Sequence, residues 1–209
     1  MNKTLAGCLL AAACIGAIAG AQARDRQPAG AQDLDPSMKG PVSGLGIEAQ
    51  DITSMADRMV RDMLGNAILA NRAKAPRVIV DSAYFTNESS QRINKNLITD
   101  RLRVGLNRAS EGRMTFLARQ NAAMIEEERA LKREGVTDVG TTGLTRAQSG
   151  ADFRLTGNIA STEARDPRTG TMQRFTQIVF EMVDLESGEI AWSNNYEIAR
   201  AATDDVIYR

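Results

Sequence analysis

The sequence predicts an α/β fold: a single domain with a mixed β-sheet that ends in an antiparallel three-stranded meander, and helices packed on the sheet as an α+β sandwich. Three observations carry this. Residues 150–161 alternate, with Phe153, Leu155, Gly157 and Ile159 on one strand face and Asp152, Arg154, Thr156 and Asn158 on the other. Two more strand-like runs follow, joined by turn sequences. Ahead of them the chain reads mostly as amphipathic helices separated by two short apolar runs, and those helices need a sheet on which to bury their stripes.

The 209 residues suit one domain with appendages. With 43% apolar and 25% charged residues the composition is that of a globular protein. Basic and acidic residues balance at 26 each and aromatics make up only 4%, so charge gives no case for nucleic-acid binding.

Residues 1–23 read as an export signal. Lys3 gives a basic start, an apolar or small run follows to Gly20, and Ala21-Gln22-Ala23 is a small-x-small pattern cleaved after Ala23. The run is short for a membrane span. Loss of Lys3 leaves 25 basic against 26 acidic residues, net −1. Both cysteines, Cys8 and Cys14, fall in this segment, so the mature chain is expected to lack disulfides. Leu5-Ala6-Gly7-Cys8 has the spelling of a lipidation box but almost no apolar run before it. Cys14 is better placed but lacks the large apolar residue in front. Residues 24–46, with Pro28, Pro36, Pro41 and four glycines among polar residues, read as a disordered linker. The globular domain then spans 47–200 and a C-terminal tail 201–209.

The first helix is expected from Asp51, as cap, to about Ala70. Met55, Met59, Val60, Met63, Leu64 and Ile68 form its apolar stripe, a core-packing pattern. Val78-Ile79-Val80 reads as a central strand covered on both faces and continuing through Phe85. A polar loop, 86–92, leads to a second helix capped by Asn94 or Asn96, with Leu97, Ile98, Leu102, Leu106 and Ala109 inward and Gly112 closing it. Residues 114–117 form a short strand. A third helix, about 120–134, has a thin stripe, and its Glu126-Glu127-Glu128 run reads as a solvated face, with Glu128 and Lys132 at supportive spacing. Residues 144–149 are expected to add a helical turn. In the meander, Ile178, Phe180 and Met182 share a face, Glu186-Ser187-Gly188 makes a tight turn, and Ile190, Trp192, Tyr196 and Ile198 line the last strand.

The chain has no histidine, and the mature form has no cysteine, which removes Ser-His-Asp and Cys-His catalysis and ordinary zinc sites. No phosphate-binding loop or dinucleotide fingerprint occurs. No cofactor, metal or small-molecule substrate is indicated, and the chain reads as a non-enzyme that binds other molecules. Its function is then expected in surface loops held by the sheet. Two stand out: residues 86–92 with Asn87, Glu88, Gln91 and Arg92, and residues 165–174 with Arg165, Arg168 and Arg174, arginine being enriched at interfaces.

Several stretches together resemble the LpoB family of penicillin-binding protein activators: Gly46 to Ile52 followed by Met59-Val60-Arg61-Asp62; Pro76 to Val80 leading to Thr86-Asn87-Glu88-Ser89 and Leu97-Ile98-Thr99-Asp100; Gly150 to Gly157; and Asp184 to Trp192. Their order and spacing cover about 46–198. The resemblance implies a domain similar to the N-terminal domain of TolB and the periplasmic part of CsgG. It also implies a non-catalytic regulator in peptidoglycan biosynthesis that binds a class A penicillin-binding protein, a bifunctional peptidoglycan synthase. The expected site of action is the periplasm, associated with the outer membrane only if Cys8 or Cys14 is lipidated, and the expected state is a monomer. The alternatives are a CsgG-like structural or adaptor module of an outer-membrane assembly, and an enzyme working through carboxylates.

Overall fold

The computed structural model describes residues 31, 33–70 and 72–203, apart from the side chain of Ala70. The expected export signal with Cys8, Cys14 and Ala23 lies outside the described residues, as do most of the first part of the linker and residues 204–209. All elements below belong to one compact unit beginning at Leu34.

The helical layer starts with α1 (Ala49–Gly65), which buries Met55, Met59 and Met63 to 1% exposure or less. It opens two residues before Asp51. Glu48 is the N-cap, and Asp51 occupies the third helical position, where its carboxylate accepts from the Glu48 backbone N–H at 2.8 Å. The helix also stops earlier than the expected Ala70. Asn66 leaves helical geometry at ψ 122°, and its side chain accepts from the N–H groups of Ile68 and Leu69 at 2.9 and 3.2 Å. It thereby caps a separate short helix, α2 (Ala67–Ala70), which turns Ile68 outward and Leu69 into the core.

Strand β1 (Arg77–Ile79) is buried on both faces, with Val78 and Ile79 at 0% and 3% exposure. It does not continue through Phe85. The Asp81 side chain accepts from the Ala83 N–H at 3.1 Å, a local turn that competes with the strand ladder. The chain re-enters the sheet as β2 (Phe85–Asn87), so Thr86 and Asn87 belong to a strand and not to a loop. Helix α3 (Lys95–Ala109) is capped by Asn94, whose side chain accepts from the Asn96 N–H at 3.1 Å. Ile98, Leu102 and Leu106 are fully buried, whereas Leu97 and Ala109 face solvent, off the stripe set by the four-residue spacing.

After β3 (Thr115–Phe116) comes a single 3₁₀ turn and α4 (Ala122–Arg133), none of whose residues is buried. Its Glu128–Lys132 pair forms at 3.5 Å. Residues 144–149 form no helical turn. They run along α4, where Arg129 donates to the Thr145 hydroxyl and carbonyl at 2.9 and 3.2 Å.

Three 13-residue strands close the fold: β4 (Phe153–Arg165), β5 (Met172–Asp184) and β6 (Ile190–Ala202). The sheet is mixed, in the order β3-β1-β4-β5-β6, with β2 also pairing β4. Pairs β1–β3, β1–β4 and β2–β4 are parallel, and the meander is antiparallel. Phe153, Leu155, Ile159, Ile178, Phe180 and Met182 are fully buried with the methionines of α1 and the leucines of α3. A register shift between Met182 and Val183 adds one residue to β6, so Ile190 is exposed while Trp192 is buried.

The end of β6 is anchored. Arg200 makes two contacts with Asp51 at 2.8 and 2.9 Å, reaches Glu48 at 3.6 Å and donates to the Gly46 carbonyl. Gly44 and Gly46 are buried here, so the last residues of the expected linker are packed. Among the described residues no helix is long and apolar enough to cross a membrane.

Candidate functional site

The two expected loops meet along the distal half of β4. Asn87, the last residue of β2, closes the first of them from inside. Its Nδ2 donates to the Gln91 carbonyl at 2.7 Å, and its Oδ1 accepts from the Ser89 N–H and hydroxyl at 3.1 and 2.6 Å. The loop is then laid against β4. The Glu88 N–H donates to the Ile159 carbonyl at 2.8 Å, and the Glu88 carboxylate accepts from Asn158 at 3.1 Å. Gln91 is half-buried over Gly46, its amide filling the space a Cβ there would need, and its Oε1 is buried without a partner. Arg92 is exposed.

The second segment is the β4–β5 hairpin. Asp166 accepts from the Arg168 N–H at 2.9 Å, which shapes the tip and holds that carboxyl below its ordinary range. Arg168 is exposed at the tip, and Arg165 is exposed at the end of β4. Arg174 is held back. Its guanidinium binds Glu163 at 2.7 and 2.9 Å, directly across the register, and only 13% of its side chain is exposed.

Glu163 joins the two segments. The same Oε1 that receives Arg174 also accepts from the Ser90 hydroxyl of the first loop. Those bonds, Ser90 first and Arg174 second, hold the Glu163 carboxyl below its ordinary range. The Ser90 N–H adds a contact to the Ser161 hydroxyl at 3.3 Å. The structure therefore unites residues 88–92 with the base of the hairpin and leaves Arg168 at the tip apart. Ser90, Asn158, Ser161 and Glu163 were not singled out from the sequence. The one available signal was register: a turn centred on 166–171 places Glu163 opposite Arg174.

Chemically the surface offers Glu88, Arg92 and Arg168 as exposed charges on rigid supports. Among the described residues no three Asp, Glu, Cys or His side chains converge as metal ligands. Such a surface can hold a protein partner by charge and hydrogen bonding.

A search of curated proteins gives no match. Among solved structures the chain is similar to the LpoB C-terminal domain from Salmonella enterica, with 22% identity, 71% of this chain and 98% of that chain covered, and a TM-score of 0.42. The corresponding values for the LpoB C-terminal domain from Escherichia coli are 18%, 72%, 99% and 0.42. For a lipoprotein from Neisseria meningitidis they are 20%, 61%, 84% and 0.31. Residues 51–198 match the family model described as peptidoglycan-synthase activator LpoB. Because this match spans more than half of the sequence, the chain belongs to the LpoB family of peptidoglycan-synthase activators.

Proposed function

We propose that this chain is an exported, non-catalytic activator of a class A penicillin-binding protein, acting in the periplasm by binding the synthase. The family match over residues 51–198 carries the reading. Export rests on the pattern of residues 1–23, with cleavage after Ala23. The absence of histidine from the sequence supports a role exerted through contact, without acid–base chemistry of that kind.

The contact surface is the patch of residues 88–92 joined to the base of the β4–β5 hairpin, with Glu88 and Arg92 touching the partner there and Arg168 reaching it separately from the hairpin tip. Asn87, Gln91 and Arg174 hold that patch in shape, and Arg165 lies at its hairpin end. Loops fixed to a sheet present such groups without the entropic loss of ordering them on binding. The test is glycan polymerisation by a purified cognate class A synthase with and without the purified chain. Faster polymerisation together with direct binding supports the reading. Absence of both refutes it. Mass spectrometry of the N-terminus of the exported protein tests cleavage, and a lipid-modified Cys8 or Cys14 there would replace the Ala23 assignment.

A further inference from the structure

Helices α1 and α3 leave an open groove of about 370 Å³ on their outer side, lined by Arg61 from α1 and by Arg101, Val104, Gly105 and Arg108 from α3. The floor is low because Gly105 lies against Val60. A Cβ at Gly105 would stand 3.0 Å from Val60 Cγ2. On α3 the outward ridge runs Leu97, Arg101, Val104, Arg108, a spacing of four, three and four that lines up one helix face. Leu97 and Val104 on this ridge are 55% and 53% exposed.

The arginines of the groove differ from those that brace the fold. Arg103, Arg113, Arg119, Arg129, Arg154, Arg174 and Arg200 all bind carboxylates, hydroxyls or carbonyls. Arg61, Arg101 and Arg108 make no hydrogen bond or ion pair among the described residues. The only acidic residue lining the groove is Asp57, so it carries net positive charge in a chain whose charges balance.

From this geometry we infer that the α1–α3 groove is a second docking surface, and that it takes an acidic amphipathic helix of a partner protein. Alternating apolar and basic positions along the ridge match a helix with aliphatic anchors flanked by carboxylates. Arginine pairs such carboxylates with two parallel donors. The lack of a side chain at Gly105 lets the incoming helix settle between the two ridges. The groove shares none of its lining with residues 88–92 or the β4–β5 hairpin, so this inference stands or falls separately from the synthase reading.

The test uses the purified chain and a fluorescein-labelled peptide with leucine at every third or fourth position and glutamate elsewhere. Binding is followed by fluorescence anisotropy, with polyglutamate of equal length as control. The leucine-bearing peptide is expected to bind, with affinity falling as salt rises. Arg61→Glu with Arg101→Glu is expected to weaken it by roughly tenfold or more, about 1.4 kcal/mol. Val104→Ser is expected to weaken it while leaving the salt dependence unchanged. These side chains are exposed and unbonded, so thermal unfolding of the variants should match the parent. Three outcomes would overturn the inference: no binding, equal binding of polyglutamate, or binding indifferent to the double charge reversal.

Discussion

The indole Nε1 of Trp192 donates to Oδ2 of Asp62 at 2.6 Å and so ties the outer strand β6 to helix α1. The same carboxylate oxygen accepts from Asn194 at 2.9 Å. The indole itself is 6% exposed in the common core. One residue therefore supplies both apolar burial and a polar latch. Trp192→Ala is expected to destabilise the domain by about 3–5 kcal/mol, the range for large-to-small core changes. Trp192→Phe keeps most of the burial but loses the donor, and Asp62 retains Asn194, so its cost should be about 1–2 kcal/mol. Urea unfolding of both variants checks this. Equal stabilities for the two would mean that the latch, and not the burial, is what matters.

Gly157 is required by a neighbour. A Cβ there would lie 2.3 Å from Phe85 Cζ and 2.6 Å from the Val179 carbonyl oxygen. Phe85 fills the missing side chain's place and packs at a tilt of 53° against Phe180, with ring centroids 5.4 Å apart. Gly157→Ala should therefore cost about 1–3 kcal/mol through overpacking. Combined with Phe85→Leu, which relieves part of the clash, the loss should be smaller than the sum of the two single losses. A strictly additive double mutant, measured by chemical denaturation, would show that the two positions do not share this space.

These two examples mark what the amino-acid pattern could and could not convey. Alternation at 153, 155, 157 and 159 identified the strand and its inner face, because a period of two follows from strand geometry alone. It could not show why position 157 must lack a side chain, since Phe85 arrives from another strand. The methionine stripe of α1 was readable for the same local reason. The break at Asn66 was not, because a helix-compatible stripe continued past it while a side-chain cap redirected the backbone. In the sequence Arg200 reads only as the last residue of the domain, next to a polar tail. Its partners Glu48 and Asp51 lie some 150 positions away in the chain, beyond the reach of periodicity. The candidate surface followed the same division. Residues 88–92 formed one polar run and were evident, whereas Glu163, which welds them to the hairpin, reads as an ordinary strand residue.

Glu163 gives a pH test of that weld. Its carboxyl is held below the ordinary range by the Ser90 hydroxyl first and by the Arg174 guanidinium second. A lowered folded-state value means that the contribution is present above the unfolded value. It is lost as pH falls through the folded one, so the window is acidic and neutral pH is unaffected. Ser90→Ala and Arg174→Ala should each move the Glu163 titration upward. Carbon-13 carboxyl titration by NMR reads both. An unchanged midpoint in Ser90→Ala would show that the loop and the hairpin are not joined through this group.

The partner surface yields the last expectation, and the geometry divides its residues by role. Arg92 and Arg168 are exposed, so reversing their charge should leave the fold undisturbed. Arg92→Glu and Arg168→Glu should each weaken synthase binding and lower stimulation of polymerisation, with thermal unfolding unchanged. For Arg168 the loss should fall mainly on the association rate and shrink as salt rises, since an exposed charge acts by steering. Asn87 is different, because its amide closes the loop through Gln91 and Ser89. Asn87→Ala should loosen residues 88–92, speed amide exchange there and weaken binding indirectly. Combining Asn87→Ala with Arg92→Glu should then cost less than the two losses added, because a loosened loop no longer presents residue 92 to the partner. Binding kinetics on an immobilised cognate synthase, beside hydrogen exchange of the free chain, separate these effects. Parent-like binding and stimulation by Arg92→Glu and Arg168→Glu would remove this surface from the synthase interface.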